Sequence, residues 1–210
     1  MRDAMRRSLL FCLLAVSLAG CSALSALDRA AQALDVYELR APNVPVARSV
    51  QGIHFIVEVP AASGAIDTDR ILIRPSASRV AYLPDARWSE TAPVMLQTAL
   101  VEAFLNTNAF RFVGRRPLGA AGDVALVTSL VAFGAEVTPG AEGATVEIRI
   151  VARLVREDDA AVLASRVFTR SAKVPDTSTG AVVAGFEAVS GAVLGELVGW
   201  VLNARGVRAG

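Results

Sequence analysis

The sequence predicts an α+β fold, in which two main helices pack on one face of a mostly antiparallel sheet. Several short segments alternate between apolar and polar residues, as half-buried strands do. Two longer segments repeat apolar residues at helical spacing. Two long alternating segments near the C-terminus are separated by a short acidic turn, which is typical of an antiparallel hairpin. The predicted order of elements is therefore ββββαββββα.

The first twenty residues have the layout of a secretion signal. An apolar run of about ten residues is preceded by a basic cluster and followed by the small residues Ala19 and Gly20. The basic cluster consists of Arg2, Arg6 and Arg7. Because a membrane-spanning helix needs about 20 apolar residues, we expect residues 1–20 to be removed and not to remain as an anchor.

The segment Leu18-Ala19-Gly20-Cys21 resembles the lipobox of bacterial lipoproteins. Small residues let the backbone enter a narrow protease site, and the cysteine supplies the nucleophile that is alkylated. The resemblance implies cleavage between Gly20 and Cys21, a diacylglycerol on the Cys21 thiol and an N-acyl chain such as palmitate on its new amine. Buried acyl methylenes contribute about 0.8 kcal/mol each, so several chains anchor the protein firmly. The other interpretation is an ordinary signal peptide with a chance cysteine.

Lipidation of Cys21 would leave the mature chain without a free thiol. The second cysteine, Cys12, lies inside the signal. We therefore expect no disulfide, no cysteine-ligated metal and no cysteine nucleophile. The resemblance also implies a destination: by the sorting rule of proteobacterial lipoproteins, Asp after the cysteine favours retention at the inner membrane, whereas a serine such as Ser22 permits export to the outer membrane.

The composition argues against a nucleic-acid partner. The 210-residue chain has 21 Lys and Arg against 20 Asp and Glu, so it is close to neutral. No basic stripe with interleaved aromatic residues is visible. We expect residues 21–34, which are small and alanine-rich, to form a lipid-anchored tether, and residues 35–205 to form a single domain.

Four short strands are expected before the first helix. Between the second and third, the stretch "AASGAIDT" predicts a loop with Gly64 as its breaker. Proline at position 75 opens the turn between the third and fourth strands. The four strands are predicted at residues 36–40, 53–59, 70–74 and 79–83.

The first helix is expected to begin after Ser89 or Thr91, with Pro93 tolerated in its first turn. It should end near Asn106 and Asn108. The spacing predicts a buried face of Met95, Leu96, Ala99, Leu100, Ala103 and Phe104, and an outward face that includes Gln97, Thr98 and Glu102.

The second half predicts four more strands. After the short strand 110–114, residues 123–133 are apolar in both alternating sets, which indicates a central strand covered on both sides. Residues 145–157 and 162–174 should form a hairpin around an acidic tip of Glu157, Asp158 and Asp159.

A long final helix is expected from about residue 177 to 203. Gly191, Gly195 and Gly199 form a GxxxGxxxG row, which in lipid can be a dimer face. Glu187 and Glu196 would each cost about 2–3 kcal/mol in a membrane. We therefore favour a helix pressed closely against the sheet, with the glycines permitting the close approach. Contact between such helices of two protomers stays open.

No catalytic or metal-binding constellation is recognisable. His54, the single histidine, lies in an apolar strand and is better interpreted as a partly buried strand residue than as a base. Asp67 and Asp69 could bind a hard cation, but a polar turn before the next strand explains them as well. We expect no catalysis, no metal and no cofactor other than the lipid on Cys21.

Residues 36–115 resemble the ABC-type transport auxiliary lipoproteins, including the PqiC-like lipoproteins. The resemblance rests on an acidic residue and Arg70 before an apolar strand, an aromatic at Tyr82, and Arg87-Trp88 ahead of the amphipathic helix, with Arg74 also in the matching segment. Phe133 in a strand, the hairpin and the C-terminal helix fit as well. For Trp88 a core position, and for Arg87 a solvated or capping charge, are the structural alternatives to a role in interaction.

The resemblance implies a docking or assembly subunit on the periplasmic face of the outer membrane. Its partners would be an Mce-domain protein and the permease and ATPase of a lipid transport system. Alternatives are a chaperone or pilotin for another outer-membrane complex and a small envelope hydrolase or metal enzyme. Direct lipid binding and homo-oligomer formation stay open.

Overall fold

A computed structural model describes residues 34–116, 122–137, 140 and 143–206. The predicted signal peptide, the predicted lipidation site Cys21 and all but the last residue of the predicted tether, residues 21–34, lie outside the described residues and stay predictions. The compact unit that follows them begins at Asp35.

Within the described residues, five strands precede the first helix and four follow it. The α+β class is confirmed, but the predicted order is wrong because the segment expected to be only a loop contains a short strand. The elements are β1 (Asp35–Tyr37), β2 (Gln51–Val57), β3 (Ala61–Ala62), β4 (Arg70–Ser76), β5 (Arg79–Trp88), α1 (Ala92–Thr107), β6 (Phe110–Gly114), β7 (Val124–Val137), β8 (Ala144–Arg156), β9 (Val162–Val174) and α2 (Thr179–Ala204).

The sheet is organised around β7. One edge of β7 pairs with β8 over the whole length of the strand, and β8 pairs in turn with β9. The other edge is shared by three strands, with β2 at residues 124–126, β3 at 129–130 and β4 at 135–136. β6 extends the β2 branch, whereas β5 and β1 extend the β4 branch.

The sheet is mixed, so the prediction of a mostly antiparallel sheet is wrong. β7 runs parallel to β2, β3 and β4, and the β1–β5 and β2–β6 pairs are also parallel. The physical reason is that the paired strands are far apart in the sequence, so the chain between them is long enough to return to the end of the sheet where the first strand began. The expected double cover of β7 holds for Val124–Leu126, which are all buried, but Val131 is 51% exposed.

The start of α1 is held by backbone groups. Thr91 is the N-cap residue, but its side chain makes no capping hydrogen bond. Instead, the Ala92 N–H donates to the Thr68 carbonyl at 3.0 Å. At the other end, Asn108 adopts a left-handed conformation that closes the helix.

The prediction that Gln97 faces outward is wrong, because its side chain is 4% exposed. Its Nε2 donates to the carbonyl of Val57, the last residue of β2, at 2.8 Å. A buried amide is stable where it satisfies a backbone group in this way. Gln97 therefore attaches α1 to the end of β2.

One hydrophobic cluster joins both helices to the sheet. Phe55 of β2 packs between Phe104 of α1 and Phe110 of β6. On β8 alternate residues are buried, as the alternation predicts: Val146, Ile148, Ile150, Ala152 and Leu154. The intervening residues of β8 therefore form the opposite, outward face.

Helix α2 is long and apolar enough to cross a membrane, but 56% of its most apolar window is buried in the fold. Its Glu196 pairs with Arg166 at 2.6 Å and with Arg170 at 2.5 Å, both on β9. The N-terminus is capped by Ser178, whose Oγ accepts from the Ala181 N–H. The Ser178 hydroxyl and N–H in turn donate to Asp176 and lower the pKa of that carboxyl, so this support for the helix is present at neutral pH and lost in strong acid.

The GxxxGxxxG row does not make the close contact expected of it. A Cβ at Gly191 or Gly199 would have no atom within 4 Å, and at Gly195 the nearest atom is Pro42 Cβ at 3.8 Å. The close approach occurs at Gly185, where a Cβ would lie 2.5 Å from Val174 Cγ1. The side of α2 that packs closely against the sheet is therefore the side of Gly185, and not the side that carries the GxxxGxxxG row.

This geometry predicts opposite effects for two similar substitutions in α2. Gly185→Ala should lower the free energy of unfolding by about 1–3 kcal/mol, because the new methyl overlaps Val146 and Val174. The matched control Gly191→Ala should raise it by about 0.5–1 kcal/mol, because alanine is the better helix former. Urea denaturation measures both, and an equal effect at the two sites would contradict the packing.

Candidate functional site around Arg70 and Trp88

The sequence singled out five residues as motif positions: Arg70, Arg74, Tyr82, Arg87 and Trp88. All of them except Arg74 lie together at the β1–β5–β4 edge. Arg70 of β4 is opposite Arg87 of β5, and Tyr82 is opposite Leu72. Trp88 ends β5 and is opposite Tyr37 of β1. The strand register therefore collects residues that are up to eighteen positions apart in the sequence.

Arg70 and Tyr82 fasten the segment that leads into β4. The guanidinium carbon of Arg70 lies 5.7 Å from the centroid of the Tyr82 ring, within the range of a cation–π contact. Arg70 Nη2 also donates to the Leu83 carbonyl at 3.4 Å. The Tyr82 hydroxyl donates to the carbonyl of Ala65 at 3.2 Å. These contacts hold the 63–69 turn against the sheet.

Asp69 connects the same turn to the end of β5. Its carbonyl accepts a hydrogen bond from the Trp88 N–H at 2.6 Å. Its carboxylate lies 3.5 Å from Arg87 Nη1, which also donates to the Trp88 carbonyl. Because both charged side chains are more than one-third exposed, the ion pair contributes at most about 1 kcal/mol. The hydrogen bond from the Trp88 N–H to the Asp69 carbonyl is therefore the main link between the turn and the end of β5.

Trp88 is fully buried in the core. Its ring centroid lies 5.2 Å from that of Phe186 on α2, edge to face, and 5.8 Å from that of Phe133 on β7. Such aromatic pairs add to the stabilisation that burial provides. A partner cannot reach this ring while the domain is folded, so the position of Trp88 is structural.

Arg74 is separate from this cluster. It is opposite Glu136 of β7 and lines a shallow 120 Å³ cleft on the outward side of the sheet, together with Glu147. The five residues thus form one structural cluster and one isolated surface arginine, not a single site.

Two further clefts, both larger than the one beside Arg74, are polar and of mixed charge. A 370 Å³ cleft is lined by Asp123, Arg156, Asp158 and Arg205, and a 350 Å³ cleft lies between residues 38–43 and α1. No group of three or more potential metal ligands occurs within the described residues. His54 stacks edge-on with Phe112 at 5.7 Å, and its backbone N–H donates to Asp123.

One carboxylate of the acidic hairpin tip, Glu157, connects β8 to distant parts of the chain. Glu157 accepts a hydrogen bond from the Gly122 N–H at 2.8 Å and pairs with Arg116. Arg116 also donates to Glu58 at 2.5 Å, and the two carboxylates raise the pKa of its guanidinium. Glu157 thereby joins β8 to the chain segments on either side of residues 117–121.

Sequence reasoning missed the roles of Thr68, Asp69 and Gln97. Thr68 and Asp69 act through backbone carbonyls, which no side-chain pattern reveals. One signal in the sequence could have pointed to Thr68 and Asp69, because the segment "DTD" directly precedes the motif residue Arg70.

The chain matches the family described as "ABC-type transport auxiliary lipoprotein component" over residues 37–198, which confirms the resemblance drawn from the sequence. It is 29% identical over 171 residues to the uncharacterized protein bll6063 of Bradyrhizobium diazoefficiens. That match covers 80% of this chain but only 45% of the relative, so the chain spans less than half of that protein.

Two solved structures are similar along most of their length. The crystal structure of XCC0632 from Xanthomonas campestris, of family DUF330, has a TM-score of 0.73 and 29% identity, covering 81% of this chain and 96% of that one. A second, the crystal structure of an uncharacterized protein, has a TM-score of 0.59 and 13% identity, covering 80% and 99%. The second similarity concerns the fold alone.

The buried position of Trp88 predicts a large loss of stability on truncation. Trp88→Ala should lower the free energy of unfolding by about 3–5 kcal/mol because it leaves a cavity between β7 and α2. Its neighbour provides the control: Arg87→Ala removes a half-exposed ion pair and should cost about 1 kcal/mol or less. Thermal denaturation distinguishes the two, and wild-type stability of the Trp88 variant would show that the ring does not support the core.

Proposed function

Because the chain belongs to the ABC-type transport auxiliary lipoprotein family, we propose that it is a docking or assembly subunit of an Mce-type lipid transport system. In this proposal Cys21 carries the lipid anchor, and the domain lies on the periplasmic face of the outer membrane. The subunit performs no catalysis itself.

The observation that carries the proposal is the family match across the domain, from residue 37 to 198. The motif residues within this match serve packing: Trp88 fills the core, and Arg70, Tyr82 and Asp69 hold one turn to the sheet. A domain whose recognisable motif maintains its own fold is suited to act through its exposed surfaces.

The distribution of charged residues supports an accessory role. Nucleotide-binding loops of the P-loop type need a lysine in a glycine-rich turn between a strand and a helix. The chain has a single lysine, Lys173, and it lies exposed within β9. We therefore assign nucleotide hydrolysis to a partner ATPase and docking to this chain.

Recovery from crosslinked membranes tests the proposal. The tagged full-length chain should enrich an Mce-domain protein together with a permease and an ATPase. The control is Cys21→Ala, which should accumulate as an unprocessed or unanchored protein without lipid label and should recover these partners poorly.

Two results would contradict the proposal. One is the consistent absence of transport components despite good recovery of the lipoprotein. The other is a deletion strain in which a different outer-membrane complex fails to assemble while lipid traffic is normal, which would favour the chaperone or pilotin alternative.

A further inference from the structure

The hairpin β8–β9 and strand β7 have two faces with different environments. The inner face is covered by α2, and its arginines Arg166 and Arg170 are both paired with Glu196. On the outward face, Arg149 and Arg153 of β8 are exposed. Neither takes part in any of the ion pairs found in the described part of the chain.

Valines lie between these two arginines. Val151 separates them on β8, opposite Ser129 of β7 and Val167 of β9. Directly opposed side chains are about 5 Å apart, and Arg149 and Arg153 follow about 7 Å away along the strand on either side. Val131, beside Ser129 at a register shift of β7, is 51% exposed, and Val167 is 49% exposed. We call these five residues the Val–Arg face: Val131, Arg149, Val151, Arg153 and Val167.

We infer that the Val–Arg face is the surface through which this subunit docks an acidic protein segment, with the partner's carboxylates on Arg149 and Arg153 and its apolar side chains on the valines. The inference rests on the proposed function as a docking subunit. An apolar centre with arginines at its border is the usual composition of a protein interface. Charge complementarity indicates carboxylates, because neither arginine is ion-paired within the described residues, although Glu147 precedes Arg149 on the same side of β8.

A membrane surface fits this face less well than a protein. Membrane surfaces are bound by protruding amphipathic segments with Trp, Phe or Leu, whereas short valines on a sheet do not project into lipid. A protein segment with acidic and apolar side chains avoids this difficulty.

The experiment uses the full-length chain in the cell envelope, with a photo-crosslinking amino acid in place of Val167. We expect an adduct with an envelope protein. Its yield should fall about tenfold when Arg149→Glu and Arg153→Glu are combined. The control combines Arg48→Glu and Arg79→Glu, two exposed arginines in other segments that also lack ion pairs in the described part of the chain, and should leave the yield unchanged. Thermal denaturation should show the same stability for both double variants, because all four side chains are exposed.

The identity of the adduct decides the outcome. A crosslinked acidic segment whose Glu→Arg or Asp→Arg change restores the yield with the charge-reversed variant supports the inference. An adduct only with a second copy, only with lipid or with no protein would overturn it, as would a yield that charge reversal leaves unchanged.

The same data separate this inference from the proposed function. If transport components are recovered equally well with the charge-reversed variant, the docking face is wrong and the proposed function stands. If the face crosslinks to an acidic protein that belongs to no transport system, the proposed function fails and the docking face stands.

Discussion

The pairing of both edges of β7 is the constraint on which the rest of the structure depends. One edge holds the long hairpin partner β8, and the other is divided among β2, β3 and β4. The two branches, β2–β6 and β4–β5–β1, are therefore joined to one strand and share one core with both helices. In the part of the sheet formed by β7, β8 and β9, one face is covered by α2, and the opposite face, which carries Arg149 and Arg153, is open.

The residues that identify the family and the residues suited to bind a partner lie in different places. Arg70, Tyr82 and Trp88 stabilise the β4–β5 branch and the start of α1, so their substitution is expected to act through stability. The Val–Arg face belongs to β7–β9, where alternate residues point away from the core. Changes on this face should alter binding while the fold is preserved.

The sequence predicts the parts of the fold that depend on local pattern. The thirteen-residue alternation of β8 specifies its buried face, and helical spacing specifies most of α1. Strand direction and register do not follow from alternation, so the parallel pairs, the strand β3 and the meeting of Asp69 with Trp88 were not predictable. Gln97 has the polarity of a surface residue, and only the position of the Val57 carbonyl explains its burial. The sequence shows Arg149 and Arg153 on the polar side of β8, but only the tertiary structure shows that they form no ion pair within the described residues.

The most direct test of this account is native-state hydrogen exchange of the full domain, measured strand by strand. If β7 unites the two branches, two strand pairs should behave alike: the amides of the β4–β5 pair and those of the β2–β7 pair should exchange through one common unfolding reaction with the same free energy. Shorter edge strands such as β1 should open at lower free energy. Separate unfolding of the β4–β5–β1 branch while β2–β6 and β7 stay protected would contradict the account.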